Sequence, residues 1–392
     1  MIGFLVFWAG MGITLWAWVG YPAVLRLLVR RGGPDGASTG SMAGAAGEAV
    51  PSITIIVPVH NNERALEHKL GNCIGLEYPC DRFEIVVVSD GSTDGTPEVA
   101  RQLAGEHANI RLIESADRIG KSAAQNLAAA TALGDVLLLT DVDTILVPNA
   151  LRLVALRFQD PEIGCVTGHV MWASSDDPGR ATSENLYWRF EHAIWARESA
   201  LGTLACASGP CMAVRSSLFC GIDPRYGDDV VLPLDVLRHG ARVAYEPALT
   251  ALDVSTAGAA AALRARARMT LRSFRGTMSQ YAVFSPVRRP ALFAAVVSHK
   301  LLRWATPFLF LAVLGSAVAL SLGGHAIARV VLVLQCAWLA AAAIGYVAHR
   351  LGVRIPVIAA VSDLALENAG MFIGVTRALL GQREIAYRPR GQ

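Results

Sequence analysis

Apolar and polar positions divide the 392-residue chain into an apolar lead, a long alternating middle and an apolar tail. Residues Ile2 to Val29 carry no charge before Arg26. That run is longer than the about 20 helical residues a bilayer core requires. It has neither a basic leading segment nor a cleavage site of small residues, which reads as an uncleaved anchor rather than a signal peptide. Arg26, Arg30 and Arg31 follow, and such a bias places the next domain on the cytoplasmic side. From Gly32 to Val50 Gly, Ala and Ser dominate, a composition that predicts a flexible tether.

Regular patterning resumes at Ile53–Val59, ITIIVPV, an apolar β-rich run suited to a central parallel strand. A helix through about Gly71, a strand over Glu84–Val88, a helix from Pro97 and a strand near Ile110–Ile113 follow. Next comes Gly120–Thr144, with an Ala-rich helix stopping at Gly134 and a strand over Val136–Leu139. Beyond it the pattern predicts a helix over Asn149–Phe158, a strand over Gly164–Met171 and a helix holding Glu184, Tyr187, Trp188, Glu191, Trp195 and Glu198. The acids and aromatics of that helix read as packing plus a solvated face. Ala207–Cys211 reads as a tight loop. Gly227-Asp228-Asp229 opens a helix with Pro233 in its first turn, Asp228 as its cap and Asp229 as a first-turn acid. Arg242–Tyr245 is a further strand. Strands alternating with helices at this spacing predict a doubly wound α/β domain with its loops on one edge.

Leu263–Arg275 carries Arg264, Arg266, Arg268, Arg272 and Arg275 on an amphipathic helix, a solvated or membrane-surface face that could also supply cations to phosphates. Three apolar segments follow, near Trp304–Leu322, Ala326–Ala348 and Ile355–Leu380. The first two read as spans. The third holds Asp363, Glu367, Asn368 and Arg377, and its placement stays open between spanning, facing other helices and lying in the interface. Arg350 and Arg354 put the loop before it inside, and a third span would carry Arg383, Arg388 and Arg390 outside, against the charge rule. The domain reading is therefore residues 1–30 as a transmembrane helix, 31–50 as a linker, 51–280 as a cytoplasmic catalytic domain and 281–392 as a membrane region of two to three helices.

The chemistry is expected at Asp141-Val142-Asp143, at the end of a buried strand, where layered α/β folds place ligands. In an extended chain residues i and i+2 share a face, so both carboxylates can aim at one point. Two carboxylates beside a diphosphate repel, each contact costing roughly 4 kcal/mol at 4 Å and an effective dielectric near 20. A hard cation, Mg²⁺ or Mn²⁺, relieves that repulsion.

Composition narrows the class. At 53% hydrophobic, 17% charged and a mean hydropathy of +0.41, the chain is too apolar for a purely soluble protein. A net charge of +3 without a basic stripe gives no sign of nucleic-acid binding. Seven cysteines with no C-x-x-C pair argue against a disulfide framework or zinc site.

Taken together, Val57-Pro58-Val59-His60-Asn61-Asn62-Glu63, Ser89-Asp90-Gly91-Ser92-Thr93-Asp94-Gly95, Gly120-Lys121 with Asn126, Asp141-Val142-Asp143, Ser208-Gly209-Pro210 and Gly227-Asp228-Asp229 resemble the membrane-bound family 2 glycosyltransferases, relatives of polysaccharide synthases. The resemblance implies a GT-A fold, a mixed and mainly parallel Rossmann-like sheet with transmembrane helices at both ends. It also implies an inverting, metal-dependent transfer from a nucleotide-sugar, a UDP-sugar, to a lipid-linked or polysaccharide acceptor at the inner face of the membrane. By the same resemblance Pro58, His60, Glu63, Asp90, Lys121 and Asp141 bind the donor and Asp143 ligates Mg²⁺ or Mn²⁺. Ser208, Gly209 and Pro210 shape the acceptor side, and Asp229, with Asp228 before it, is the catalytic acid pair. A carboxylate there takes the proton from an acceptor hydroxyl as it attacks the anomeric carbon.

The chain departs from the family's pattern twice. Asp228 stands where Glu is usual. The Gln-x-x-Arg-Trp motif of polysaccharide synthases is missing, since aligning its Arg on Arg268 puts Ala265 and Met269 at the Gln and Trp places; Arg268 and Arg272 remain as donor-phosphate contacts. The competing reading is a catalytically inactive membrane subunit of a polysaccharide assembly complex. A nucleotidyltransferase is disfavoured, because no glycine- and arginine-rich phosphate loop follows the first strand.

Overall fold

The computed structural model describes residues 1–32, 50–174, 177–181, 186–253, 259–351, 353, 355–383. The expected tether between Gly32 and Val50, Glu184, Arg354, Arg388 and Arg390 fall outside them, apart from the tether's two end residues. The chain opens with α1 (Ile2–Leu15), a π-helical turn and α2 (Tyr21–Gly32). The catalytic region runs β1 (Ile53–Val59), α3 (Glu63–Ile74), β2 (Phe83–Asp90), α4 (Thr96–Glu106), β3 (Ile110–Ser115), α5 (Lys121–Ala129), β4 (Val136–Thr140), β5 (Thr144–Leu146), α6 (Ala150–Arg157), β6 (Ile163–Ser174), β7 (Asp177–Ala181), α7 (Leu186–Ala200), β8 (Cys211–Arg215), α8 (Asp228–Arg238), β9 (Arg242–Asp253) and α9 (Ala259–Ser279). Then come α10 (Pro290–Ala295), α11 (Leu302–Leu322), α12 (Ala326–Arg350) and α13 (Pro356–Leu379).

The sheet order is β3-β2-β1-β4-β8-β6-β9-β5, with β7 on β6. The first four strands are parallel, and β8 enters antiparallel to both β4 and β6. Alternation explains why β1 reads as continuous apolar. Ile53, Ile55, Val57 and Val59 pack on one face with Leu66 and Leu70 of α3, while Ile56 faces the other side with Leu139, Ala124 and Ala128. Helices cover both faces, so no strand position here is polar by default. The layered α/β expectation holds.

The far half of the sheet differs from expectation. β9 runs on to Asp253 rather than ending near Tyr245, and β5 is an additional edge strand. Register shifts at Cys165 and His169 bend β6 against β9. Gly168 sits at the bend, where a Cβ would run into the Leu249 carbonyl and Cys211 Sγ. That bend lets β5, three residues after β4, pair with the end of β9.

Glu191 and Glu198, expected on a solvated face, are 4% and 1% exposed. The two ring nitrogens of His299 lie 2.9 Å from their carboxylates, Arg303 meets Glu191 at 2.5 Å, and the Tyr21 hydroxyl donates to Glu198 at 2.6 Å. Burial of these acids is sustained by a cation and by donors from the apolar helices, so α7 fastens the α/β region to them. Among the described residues four helices are long and apolar enough to cross a membrane: Ile2–Arg30, Pro290–Leu322, Ala326–Ala348 and Pro356–Leu379.

Candidate active site

Each expected site residue sits at or near the C-terminal end of a strand, or on a helix that packs there. The loops after β1 and β2 are tied together. Asn61 accepts from Thr93 N at 2.8 Å, its own N donates to Ser92 Oγ at 3.2 Å, and His60 Nδ1 lies 2.6 Å from the Asp90 carbonyl. Glu63 opens α3 against Gly95, where a Cβ would collide with its carboxylate. Pro58 pairs in register with Val88, one residue before this junction. The Asp90 carboxylate accepts the N–H groups of Ile119 (2.6 Å) and Gly120 (2.9 Å). It acts within the protein, fixing the turn in which Gly120 takes φ +89, a region costly for any residue with a Cβ. That turn sets the position of Lys121 at the start of α5.

Lys121 joins two motifs 87 positions apart (228 − 141). Its Nζ lies 2.6 Å from Asp141 Oδ1 and 3.3 Å from Asp228 Oδ2. Burial works against the charge of Asp228, but Lys121 and Arg272 outweigh it and hold its carboxyl below the usual range. Gly209 lies on this pair, the position of a Cβ falling 3.4 Å from both Asp228 oxygens. Ser208 N is anchored to Thr167 Oγ1 at 2.8 Å, and Pro210 leads directly into β8.

Two expectations are corrected here. Asp228 does not cap α8; Gly227 holds the cap position, and both acids lie in the first turn, where the helix dipole favours them. Pro233 is not in that turn but one turn further on, inside the helix. Lacking an N–H, it leaves the Asp229 carbonyl without its helical donor. Ala207 N takes that place at 2.8 Å, tying the Ala207–Pro210 loop to Asp229.

Burial first, then the neighbouring Asp228, push the Asp229 carboxyl up to about 6, partly offset by Lys300, Arg272 and the Ser273 hydroxyl. Ser273 Oγ donates to Asp229 Oδ2 at 3.2 Å. Arg272, expected on donor phosphates, donates instead to the Tyr226 carbonyl and to Ser122 Oγ, bracing the loop before α8. Arg268 lies one turn earlier on α9, half-buried.

Asp141 and Asp143 converge, though not by the extended-chain route expected. The chain turns, with Thr144 N bonded to the Asp141 carbonyl at 3.2 Å. Burial and then Asp141 raise the Asp143 carboxyl. A third acid, Asp253 at the end of β9, faces the same point. Burial, then Asp143 and Asp141, push it up to about 7, and its Oδ1 is buried with no hydrogen-bond partner among the described residues. Sequence reading missed Asp253 because β9 was expected to end eight residues earlier; β9's pairing with β5 puts it opposite Thr144. It also missed the support beneath the turn. Lys69, fully buried on α3, donates to Thr140 Oγ1 at 2.8 Å and the Thr144 carbonyl at 2.6 Å. Asn72, one turn on, bonds both N and O of Leu146 at 2.9 Å.

Residues 54–220 match the sequence model of glycosyl transferase family 2. The α/β domain belongs to that family. The chain is 27% identical over 249 residues to an N-acetylglucosaminyltransferase of Mesorhizobium japonicum, covering 59% of this chain and 58% of the relative. It is 28% identical over 247 residues to an N-acetylglucosaminyltransferase of Sinorhizobium fredii, covering 59% of each. The matched stretch thus spans under two thirds of either relative. The fold is that of the mannosyltransferase PcManGT from Pyrobaculum calidifontis, solved in complex with GDP-Man and Mn²⁺, at a TM-score of 0.71 and 22% identity over 96% of this chain and 100% of that one. The chain therefore has a GT-A domain that matches family 2, preceded and followed by helices able to cross a membrane.

Proposed function

We propose that this glycosyltransferase moves a sugar, of the hexose or N-acetylhexosamine kind, from a UDP-sugar to a lipid-linked or polysaccharide acceptor at the inner face of the membrane, with inversion. The observation that carries the reading is Asp229, a carboxylate raised to about 6 and held by Ser273 beside the Ser208–Pro210 loop. Arg26 and Arg30, at the domain end of the first apolar helix, support the cytoplasmic placement. The N-acetylglucosaminyltransferase activity of the two relatives favours an N-acetylglucosamine donor.

A divalent cation fits the acids present. Burial raises both Asp143 and Asp253, Asp141 adding to the first and Asp143 with Asp141 to the second, and Asp253 Oδ1 has no donor among the described residues, so these hard oxygens suit Mg²⁺ or Mn²⁺. Among the described residues no three acids stand together as a ready-made cation site; Asp143 would ligate the ion with Asp253 beside it, and when bound it would supply charge neutralisation to the diphosphate leaving group. The protein's own groups do the rest. The tied loops after β1 and β2 receive base and ribose. Lys121 keeps Asp141 and Asp228 in place. Asp229 accepts the proton of the acceptor hydroxyl while that oxygen attacks the anomeric carbon, and a single displacement inverts the centre.

The test is to incubate the membrane-embedded protein with a panel of nucleotide-sugars and measure released nucleoside diphosphate, with Asp229→Asn alongside. Release from one UDP-sugar, abolished in the variant, is expected. No release from any donor, or equal release from the variant, would refute the reading.

A further inference from the structure

The two acids that open α8 are not held alike. Asp228 lies 3.3 Å from the Lys121 ammonium, whereas the Asp229 carboxylate is met by the neutral hydroxyl of Ser273 at 3.2 Å. A carboxylate withdrawn from water and set beside another must still be ionised to accept a proton. Burial and then Asp228 raise the Asp229 carboxyl, and foremost among the groups that oppose them is Lys300, which belongs to the apolar helix after the α/β region.

Lys300 stands where that helix widens. A π-helical turn, Val296–Leu301, joins α10 to α11, a rare form found mostly at functional sites. The turn is fixed to the first apolar helix, Trp16 Nε1 donating to Ser298 Oγ at 3.1 Å. His299 is taken up by Glu191 and Glu198, and Arg303 by Glu191. Those acids thus have partners of their own, and Lys300, half-buried, reaches past them. Its Nζ lies 5.9 Å from the centre of the Trp195 ring and reaches the Cys206 thiol, with which it lines a small cavity shared with Glu198 and His299. Glu191, Tyr187 and Arg303 also face the ammonium.

Cys206 is one peptide away from the base. The buried Ala205-Cys206-Ala207 strip leads into the acceptor-side loop, and Ala207 N donates to the Asp229 carbonyl at 2.8 Å. Lys300 therefore bears on Asp229 in two ways, by its charge and through the strip. The other charged groups facing the Asp229 carboxylate are Asp228 on its own helix and Arg272 on α9. Arg272 is engaged with the Tyr226 carbonyl and Ser122 Oγ.

We propose that Lys300 is a positioning residue for the transfer: from the membrane-side helix it holds the Cys206–Ala207 strip and presents its ammonium to Asp229. The proposal rests on the reading of Asp229 as the base. Each acid of the pair then has its own lysine, Lys121 from α5 for Asp228 and Lys300 from the apolar helix for Asp229, so the seat of the base is completed from the membrane side.

The experiment measures kcat/KM against pH for the parent, Lys300→Gln, Lys300→Met and Lys300→Arg, as nucleoside diphosphate released by the membrane-embedded full chain from the UDP-sugar that the donor panel turns over. Removing a nearby cation disfavours the ionised carboxylate, so the acid limb moves to higher pH. Expected for Lys300→Gln and Lys300→Met is a limb about one pH unit above the parent's, with kcat/KM roughly fivefold down at pH 6, about twofold down at pH 7 and recovered above about pH 8. Lys300→Arg keeps the charge and should keep the parent's limb. An unmoved limb in the Gln and Met variants, an equal loss at every pH, a Lys300→Arg limb displaced as far as theirs, or loss of cooperative melting in both would overturn the proposal. No release from any donor, or release by Asp229→Asn equal to the parent's, would refute the reading of Asp229 and the proposal with it. A parent limb near pH 6 that Lys300→Gln leaves in place would refute the role of Lys300 alone.

Discussion

From Ile53 to Thr140 the strands pair with one another in parallel and in unbroken register and are covered on both faces. From Asp141 to Asp253 the pairings are mostly antiparallel and bent, and acids meet partners far along the chain, as Asp228 meets Lys121 and Asp253 meets Asp143. The first region builds a frame by local pattern; the second places charge by long-range closure. Substitutions in the second should therefore cost turnover with little cost in folding, and the reverse should hold towards the frame.

The largest expected effect is at Asp229→Asn, a loss of turnover of roughly 10²–10⁴-fold with donor affinity kept. Because the fold raises this carboxyl, its ionised form destabilises the folded chain above its unfolded pKa, and the penalty is complete above about pH 6. The variant's melting temperature at pH 7 should therefore be equal or higher, and a clear drop would place Asp229 in the frame instead. Next, Asp143→Ala should weaken cation-dependent donor binding by roughly 10–100-fold, with chelator bringing the parent protein to the same level in a binding titration.

Lys69→Met crosses the boundary between the regions, since it leaves α3 in place but removes the donors under the Asp141–Asp143 turn. Donor affinity should fall about tenfold, with kcat changed less. Smallest is Ser273→Ala, about fivefold, or about 1 kcal/mol, at neutral pH. A base must be ionised, so kcat/KM of the parent should fall as pH drops through about 6. Loss of the Ser273 donor raises that carboxyl further and should move the acid limb to higher pH; an unmoved limb would show that Ser273 does not hold the base.

The same division explains what could be read in advance. ITIIVPV, the Glu84 strand and the Val136 strand are apolar runs bounded by polar loops, and β1 falls at the expected residues. Asp229 and Lys121 were recognisable from their motifs. Asp253, Lys69 and the bend at Gly168 were not, because nothing in residues 246–253 marks a strand that pairs with three residues after an Asp-x-Asp. Asp90 and Arg272 were legible as polar residues of a site, but not as residues whose bonds are made inward, to Gly120 N and the Tyr226 carbonyl. Glu191 and Glu198 looked solvated because their partners His299 and Arg303 lie about a hundred residues later.

Pro233 separates α8 from its own first turn just enough for Ala207 to bind the carbonyl of Asp229. The strip of chain expected to touch the incoming hydroxyl and the group expected to deprotonate it are thus fastened to each other rather than to two independent parts. If the acceptor loop shifts to admit a bulky substrate, the base travels with it, and the distance that governs proton transfer is preserved through the motion.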